Sequence, residues 1–147
     1  HPNIDYAYFM KGLSSFTADK GLIVRVVGTD LSKRDISGAK DSFSELTEFL
    51  TRFPESEHSG NAKQRMIYLR NLIAKQEIYV AEFYLERKAF VAALSRADYV
   101  LKYMPKTPQV ERALEIMIIS YQELGQDALK ADVEKALQTF KQNSNPG

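Results

Sequence analysis

The chain has no cysteine. That excludes disulfides, thiolate nucleophiles and cysteine-ligated metal, and it selects no compartment. No apolar run approaches the roughly 20 residues that a bilayer-crossing helix needs. The most apolar short run, residues 22–27, is interrupted by Arg25. An excess of one charge is missing too: 20 Lys and Arg against 19 Asp and Glu leave a formal +1, so no global field argues for nucleic acid. Histidine is scarce, with His1 and His58 only. The sequence shows no phosphate-cradling glycine loop, no nucleophile elbow and no metal motif, so catalysis has no support and no cofactor is expected. No signal peptide is visible, and the chain opens at His1-Pro2 without a methionine, which reads as an internal fragment of a longer protein.

What is present is a soluble-globular balance, 44% hydrophobic and 27% charged, in 147 residues, enough for one ordinary domain with a real core. Residues 81–105 place Ala81, Tyr84, Ala93, Val100 and Pro105 at the positions of a tetratricopeptide repeat. The two alanines let antiparallel helices approach, Tyr84 fills the gap beside them, and Pro105 stops the second helix. The same pattern occurs earlier: Ser42, Leu46, Phe49, Phe53 and Pro54 match Ala93, Ala97, Val100, Met104 and Pro105 at a constant offset of 51 residues.

The segments between follow the same periodicity. Tyr6, Phe9, Met10, Leu13 and Phe16 mark an amphipathic helix over residues 5–16, and residues 39–53 mark another. Residues 17–38 lose the pattern and read as an inserted loop, with a short helix near 22–26. Residues 61–88 contain neither Pro nor Gly, and Ala62, Met66, Leu69, Leu72, Ile73, Gln76, Val80, Phe83 and Tyr84 keep one stripe through a long central helix that serves as a spine. Residues 110–140 supply a last pair: Tyr121, the turn at Gly125, then Leu129, Val133, Ala136, Leu137 and Phe140. The expected fold is therefore all-α, a tetratricopeptide-repeat-like α-solenoid of about three helical hairpins.

Candidate sites are few. His58 lies in the polar turn 54–60 near Glu55 and Glu57, without further convergent ligands, and reads as a surface turn residue. Glu45/Glu48 and Glu82/Glu86 read as solvated helix faces, the latter pair answered by Arg87 and Lys88. An interaction surface is the better search. Turned away from the core stripe of residues 89–104, Arg96, Tyr99 and Tyr103 line up at i, i+3 and i+7 with Lys102 adjacent. Arginine flanked by tyrosines has the composition of an interface hot spot. The competing reading is that both tyrosines pack against the next hairpin and Arg96 is merely solvated.

Residues 1–8 (HPNIDYAY), Lys33-Arg34-Asp35, residues 52–56 (RFPES), 62–66 (AKQRM), 69–72 (LRNL), 80–84 (VAEFY) and 92–96 (AALSR) resemble the BamD (ComL) family of outer-membrane protein assembly lipoproteins, in order and over essentially all of residues 1–147. The resemblance implies a C-terminal portion, about repeats three to five of five, with the lipid-bearing cysteine upstream. It also implies a non-catalytic scaffold of the β-barrel assembly machinery on the periplasmic face of the outer membrane. Its expected partner is the POTRA domain of BamA nearest the barrel, with BamC, BamE and unfolded outer-membrane proteins as further contacts. Arg96 matches an arginine of the family that meets an acidic residue of that domain; Tyr99, Lys102 and Tyr103 extend the face by helix geometry. The alternative is a peptide-binding, co-chaperone-like repeat domain that holds unfolded substrate in a concave groove.

Overall fold

Apolar residues three and four apart, with few internal breakers, should form helices throughout. In a computed structural model, which describes residues 2–17 and 36–145, they form six, and no strand occurs among the described residues. The helices are α1 (Ile4–Thr17), α2 (Ser37–Arg52), α3 (Ser59–Glu86), α4 (Phe90–Tyr103), α5 (Val110–Glu123) and α6 (Asp127–Ser144). The all-helical fold expected from the repeat pattern is the observed one. The chain divides into two compact units, His1–Gln76 and Glu77–Gly147, and α3 contributes its first part to one and its last part to the other. Most of the inserted loop at 17–38, including the short helix expected near 22–26, lies outside the described residues; Thr17 ends α1, and Ser37 and Gly38 already belong to α2.

In the first unit α1 packs against α2. A Cβ at Gly12 would lie 2.6 Å from Leu46 Cδ2 and 3.3 Å from the Leu46 backbone nitrogen. Only glycine lets the helices approach this closely. Ser42, fully buried on α2, donates its hydroxyl to the Gly12 carbonyl at the same crossing. The crossing sets which residues of α1 are buried: Phe9, Gly12 and Phe16 face inward, while Tyr6 and Met10 are exposed, unlike the stripe expected from hydrophobicity alone.

The 51-residue echo has a structural counterpart inside each unit. Ser42, Leu46 and Phe49 in α2, and Ala93, Ala97 and Val100 in α4, are all fully buried. Both helices stop in the same conformation, Phe53 at φ −130, ψ 59 and Met104 at φ −127, ψ 45. Each donates its N–H to the carbonyl four residues back, Phe49 at 2.8 Å and Val100 at 2.9 Å. The following Pro54 and Pro105 explain the match, because a proline ring pushes the residue before it out of the helical region.

α3 starts two residues earlier than its sequence signals suggest. The Ser59 hydroxyl donates to the Phe53 and Pro54 carbonyls, 3.1 Å each, and ties down the preceding turn. The buried stripe also drifts along α3. Ala62, Leu69, Leu72 and Ile73 are inside as expected, but the next turns bury Ala74, Glu77, Ile78 and Ala81 and leave Phe83 exposed. The chain turns out of α3 at Lys88, which lies two residues past its end and takes a left-handed φ of 61, so that Ala89 N–H reaches the Tyr84 carbonyl at 2.9 Å and Lys88 N–H reaches the Leu85 carbonyl at 3.0 Å. That is a Schellman closure.

In the second unit α4 packs on α5 and α5 on α6. Val100, Met104 and Ile116 are among its most buried side chains; each contributes about 1.5–3 kcal/mol by leaving water. α5 closes as α3 does, with Gly125 at φ 70 and Gln126 N–H on the Tyr121 carbonyl at 2.9 Å. In α6 the expected stripe is mostly not buried. Val133 is inside, whereas Leu129 and Ala136 are exposed, because only the side of α6 against α5 is covered among the described residues.

Candidate functional site

α4 sorts its residues by angle. At 100° per residue, Ala93, Ala97, Val100 and Met104 share the inward side, and Arg96, Tyr99 and Tyr103 fall together about a quarter turn or more away. The structure keeps that division: the first four are buried, Arg96 and Tyr99 are intermediate, and Tyr103 is 61% exposed. All four residues singled out from the sequence therefore lie on α4 within the second unit, off its core side.

They are not equivalent. Tyr99 and Tyr103 stack at a tilt, ring centroids 4.8 Å apart, which makes one aromatic surface of two side chains. Lys102 is engaged by Asp98 one turn earlier at 2.7 Å. The hydrogen bond and charge of Asp98 raise the Lys102 ammonium above its ordinary value, so it stays a cation beside the tyrosines at any relevant pH. Arg96 Nη1 donates to Glu77 Oε2 at 3.2 Å and approaches Oε1 at 3.5 Å.

Glu77 is the residue that sequence reasoning missed. It is 1% exposed on the last part of α3, and a carboxylate there is held only at the cost of its hydration, which is why a cation faces it. A signal for it existed. Ala74, Ile78 and Ala81 place apolar residues at i−3, i+1 and i+4 around Glu77, so this acid stands in a buried face rather than on a solvated one.

A second charged cluster lies in the same unit. Arg112 of α5 donates Nε to Glu82 at 2.6 Å and Nη1 to Glu115 at 2.9 Å. Glu82 above all raises the guanidinium above its ordinary value. Glu82 is thus answered across helices by Arg112, not by Arg87 and Lys88 as its sequence neighbours suggested; Arg87 sits 3.5 Å over the Phe83 ring.

In the first unit, His58 is more than a surface turn residue. Its ring stacks on Phe9 at 5.0 Å and 7° and meets Tyr6 at 5.4 Å. Ser56 donates to Asp5 at 2.6 Å, joining the same turn to α1 and holding the Asp5 carboxyl below its ordinary value. A cleft of about 460 Å³ beside it is lined by Ile4, Asp5, Arg52, Phe53 and Pro54 among others. Two of its charged groups are already engaged within the chain, Asp5 by Ser56 and Arg52 by Glu48 and Tyr8. No group of three or more potential metal ligands occurs among the described residues.

Comparison with known proteins gives a consistent picture. A family model described as "YfiO: Outer membrane lipoprotein" matches residues 1–137. The outer membrane protein assembly factor BamD of Neisseria meningitidis serogroup A is 34% identical over 139 residues, 95% of this chain and 52% of that protein. The proteins of the same name from Xylella fastidiosa strain Temecula1 and Vibrio cholerae serotype O1 are 35% and 31% identical, covering 95% and 97% of this chain and 47% and 58% of their own lengths. The chain spans about half the length of the curated relatives it matches.

Proposed function

The chain belongs to the YfiO family of outer membrane lipoproteins, and on that premise we propose that it is a non-catalytic scaffold of the outer-membrane β-barrel assembly machinery. Its relatives carry the name outer membrane protein assembly factor. The chain acts at the periplasmic face of the outer membrane, held there through a lipid anchor of the full-length protein. The face of α4 formed by Arg96, Tyr99, Lys102 and Tyr103 docks onto the POTRA domain of BamA nearest the barrel. BamC and BamE are further contacts of the same assembly.

One observation carries this reading: an arginine with a 43% exposed side chain stands beside a paired-tyrosine surface whose outer ring is 61% exposed. Arginine and tyrosine are the residue types on which interface energy concentrates, and a helix carries them on a backbone that is already ordered before binding. The test is co-purification of the chain with the purified POTRA domains of the cognate BamA. Arg96→Glu should abolish it, but that change sets a second carboxylate against buried Glu77 and risks the fold. Tyr103→Glu is cleaner, since it alters a 61% exposed ring that packs on Tyr99 and leaves the Arg96–Glu77 pair in place. Loss of co-purification with unchanged helical circular dichroism is expected. Full retention by both variants would remove α4 from the interface.

A further inference from the structure

The guanidinium of Arg96 is engaged on one side only. Both contacts to Glu77 are made by Nη1. The remaining donors, Nε and Nη2, form the side-on edge of the group, two parallel N–H bonds spaced to meet a carboxylate bidentately. Among the described residues no hydrogen bond or ion pair occupies that edge, and the side chain is 43% exposed. Arg112, in the same unit, shows the contrast. Its Nε and Nη1 are each committed to a carboxylate of this chain, Glu82 and Glu115. Arg112 thus spends Nε on a carboxylate of its own chain, whereas Arg96, equally exposed at 43%, keeps Nε and Nη2 together for another.

We propose that Glu77 is a positioning residue of the docking face, anchoring Arg96 through Nη1 from the buried side so that the Nε/Nη2 edge is presented to a carboxylate of the partner. This rests on the docking role of α4 given above. The anchor does two things. A free arginine must freeze several rotatable bonds to make a bidentate contact, whereas Arg96 is already held by a carboxylate fixed within α3 and 1% exposed. Glu77 also keeps the cation from being a lone charge when the partner covers it, which lowers the desolvation cost of docking. The partner carboxylate then completes a Glu–Arg–carboxylate bridge in which each acid has its own edge of the guanidinium.

The test is a double-mutant cycle with the cognate POTRA domains as ligand. Affinities are measured by titration calorimetry for the chain and for Glu77→Gln, Arg96→Lys and the double variant, with thermal unfolding followed in parallel. Arg96→Lys keeps the charge that Glu77 requires but has no fork, so it should melt near the wild type and bind about tenfold or more weakly. Glu77→Gln should weaken binding about three- to tenfold by releasing Arg96. In the Arg96→Lys background the same Glu77→Gln change should alter affinity less than about twofold, because what it positioned is gone. An equal loss in both backgrounds would make Glu77 merely structural and overturn the inference. So would unchanged binding by Glu77→Gln when Arg96→Lys is impaired. If neither variant loses affinity, the docking role of α4 itself fails. Should Glu77→Gln not fold, the Arg96 Nε–H resonance of the wild type decides: it should shift downfield and exchange more slowly on adding the POTRA domains, and an unmoved resonance overturns the inference.

Discussion

Arg96 on α4 is a counter-ion of Glu77, a carboxylate 1% exposed on α3, across 3.2 Å. Removing the cation should therefore reach stability as well as binding. Losing one partner of a fully buried pair costs about 3–5 kcal/mol. Arg96 is nearly half exposed, and water entering beside Glu77 reduces the figure, so Arg96→Ala should destabilise by about 1–3 kcal/mol. Arg96→Lys should cost less than Arg96→Ala. Urea unfolding measures both; an Arg96→Ala protein as stable as the wild type would show that Glu77 does not depend on it.

Lys88 and Gly125 make the same helix-ending turn, at φ 61 and φ 70, with the same pair of hydrogen bonds back into their helices. A side chain in that conformation costs about 1–2 kcal/mol that glycine does not pay, partly offset by the greater freedom of unfolded glycine. Lys88 is exposed. Lys88→Gly should raise the melting temperature by the equivalent of about 0.5–1 kcal/mol, and Gly125→Ala should lower it by about as much. Both are read by thermal circular dichroism, and a destabilised Lys88→Gly protein would refute the strain.

Gly12 and Leu46 predict a steric effect. A methyl group at residue 12 would meet Leu46 Cδ2 at 2.6 Å and the Leu46 backbone nitrogen at 3.3 Å, and Leu46 is fully buried. Gly12→Ala should destabilise by about 1–3 kcal/mol through overpacking. Leu46→Val in the Gly12→Ala background should recover part of that loss. Equal destabilisation by Gly12→Ala with and without the shortened partner would mean that the helices part rather than clash.

Acid should release the Asp5–Ser56 bond. The Ser56 hydroxyl lowers the Asp5 carboxyl below its ordinary 3.8, so the bond stabilises the fold wherever the carboxyl is ionised in both folded and unfolded chains. That contribution is complete at neutral pH. It is lost as pH falls below 3.8 and through the lower folded value. Ser56→Ala should lower stability at pH 7 and narrow its difference from the wild type progressively below about pH 4. A constant difference across that range would exclude Asp5 as the group responsible.

Much of this was legible in the sequence, for identifiable reasons. Ala93, Ala97 and Val100, with their echo at Ser42, Leu46 and Phe49, announced the helix crossings because small and apolar residues at helical spacing have few other uses. The ends at Phe53 and Met104 followed from the prolines. What was not legible depended on contacts distant in the chain. Tyr6 and Met10 belong to an apolar stripe by pattern, yet the close approach at Gly12 turns α1 away from them. Lys88 carries no turn signal, because its strain is imposed by the hydrogen bonds around it. Arg96, Tyr99 and Tyr103 were visible as a face, but Glu77 was not, since an acid within a helix ordinarily faces water.

Tyr103 is the residue whose change touches the proposed interface and least else: 61% exposed, on one turn of α4, stacked only on Tyr99 among the ring contacts of the described residues. The most direct measurement is the affinity of the chain for the cognate BamA POTRA domains before and after Tyr103→Ala. A hot-spot tyrosine of the face should cost about 2 kcal/mol or more, a roughly 30-fold rise in Kd, with the melting temperature unchanged. Equal affinity of the two proteins would contradict the docking of this face.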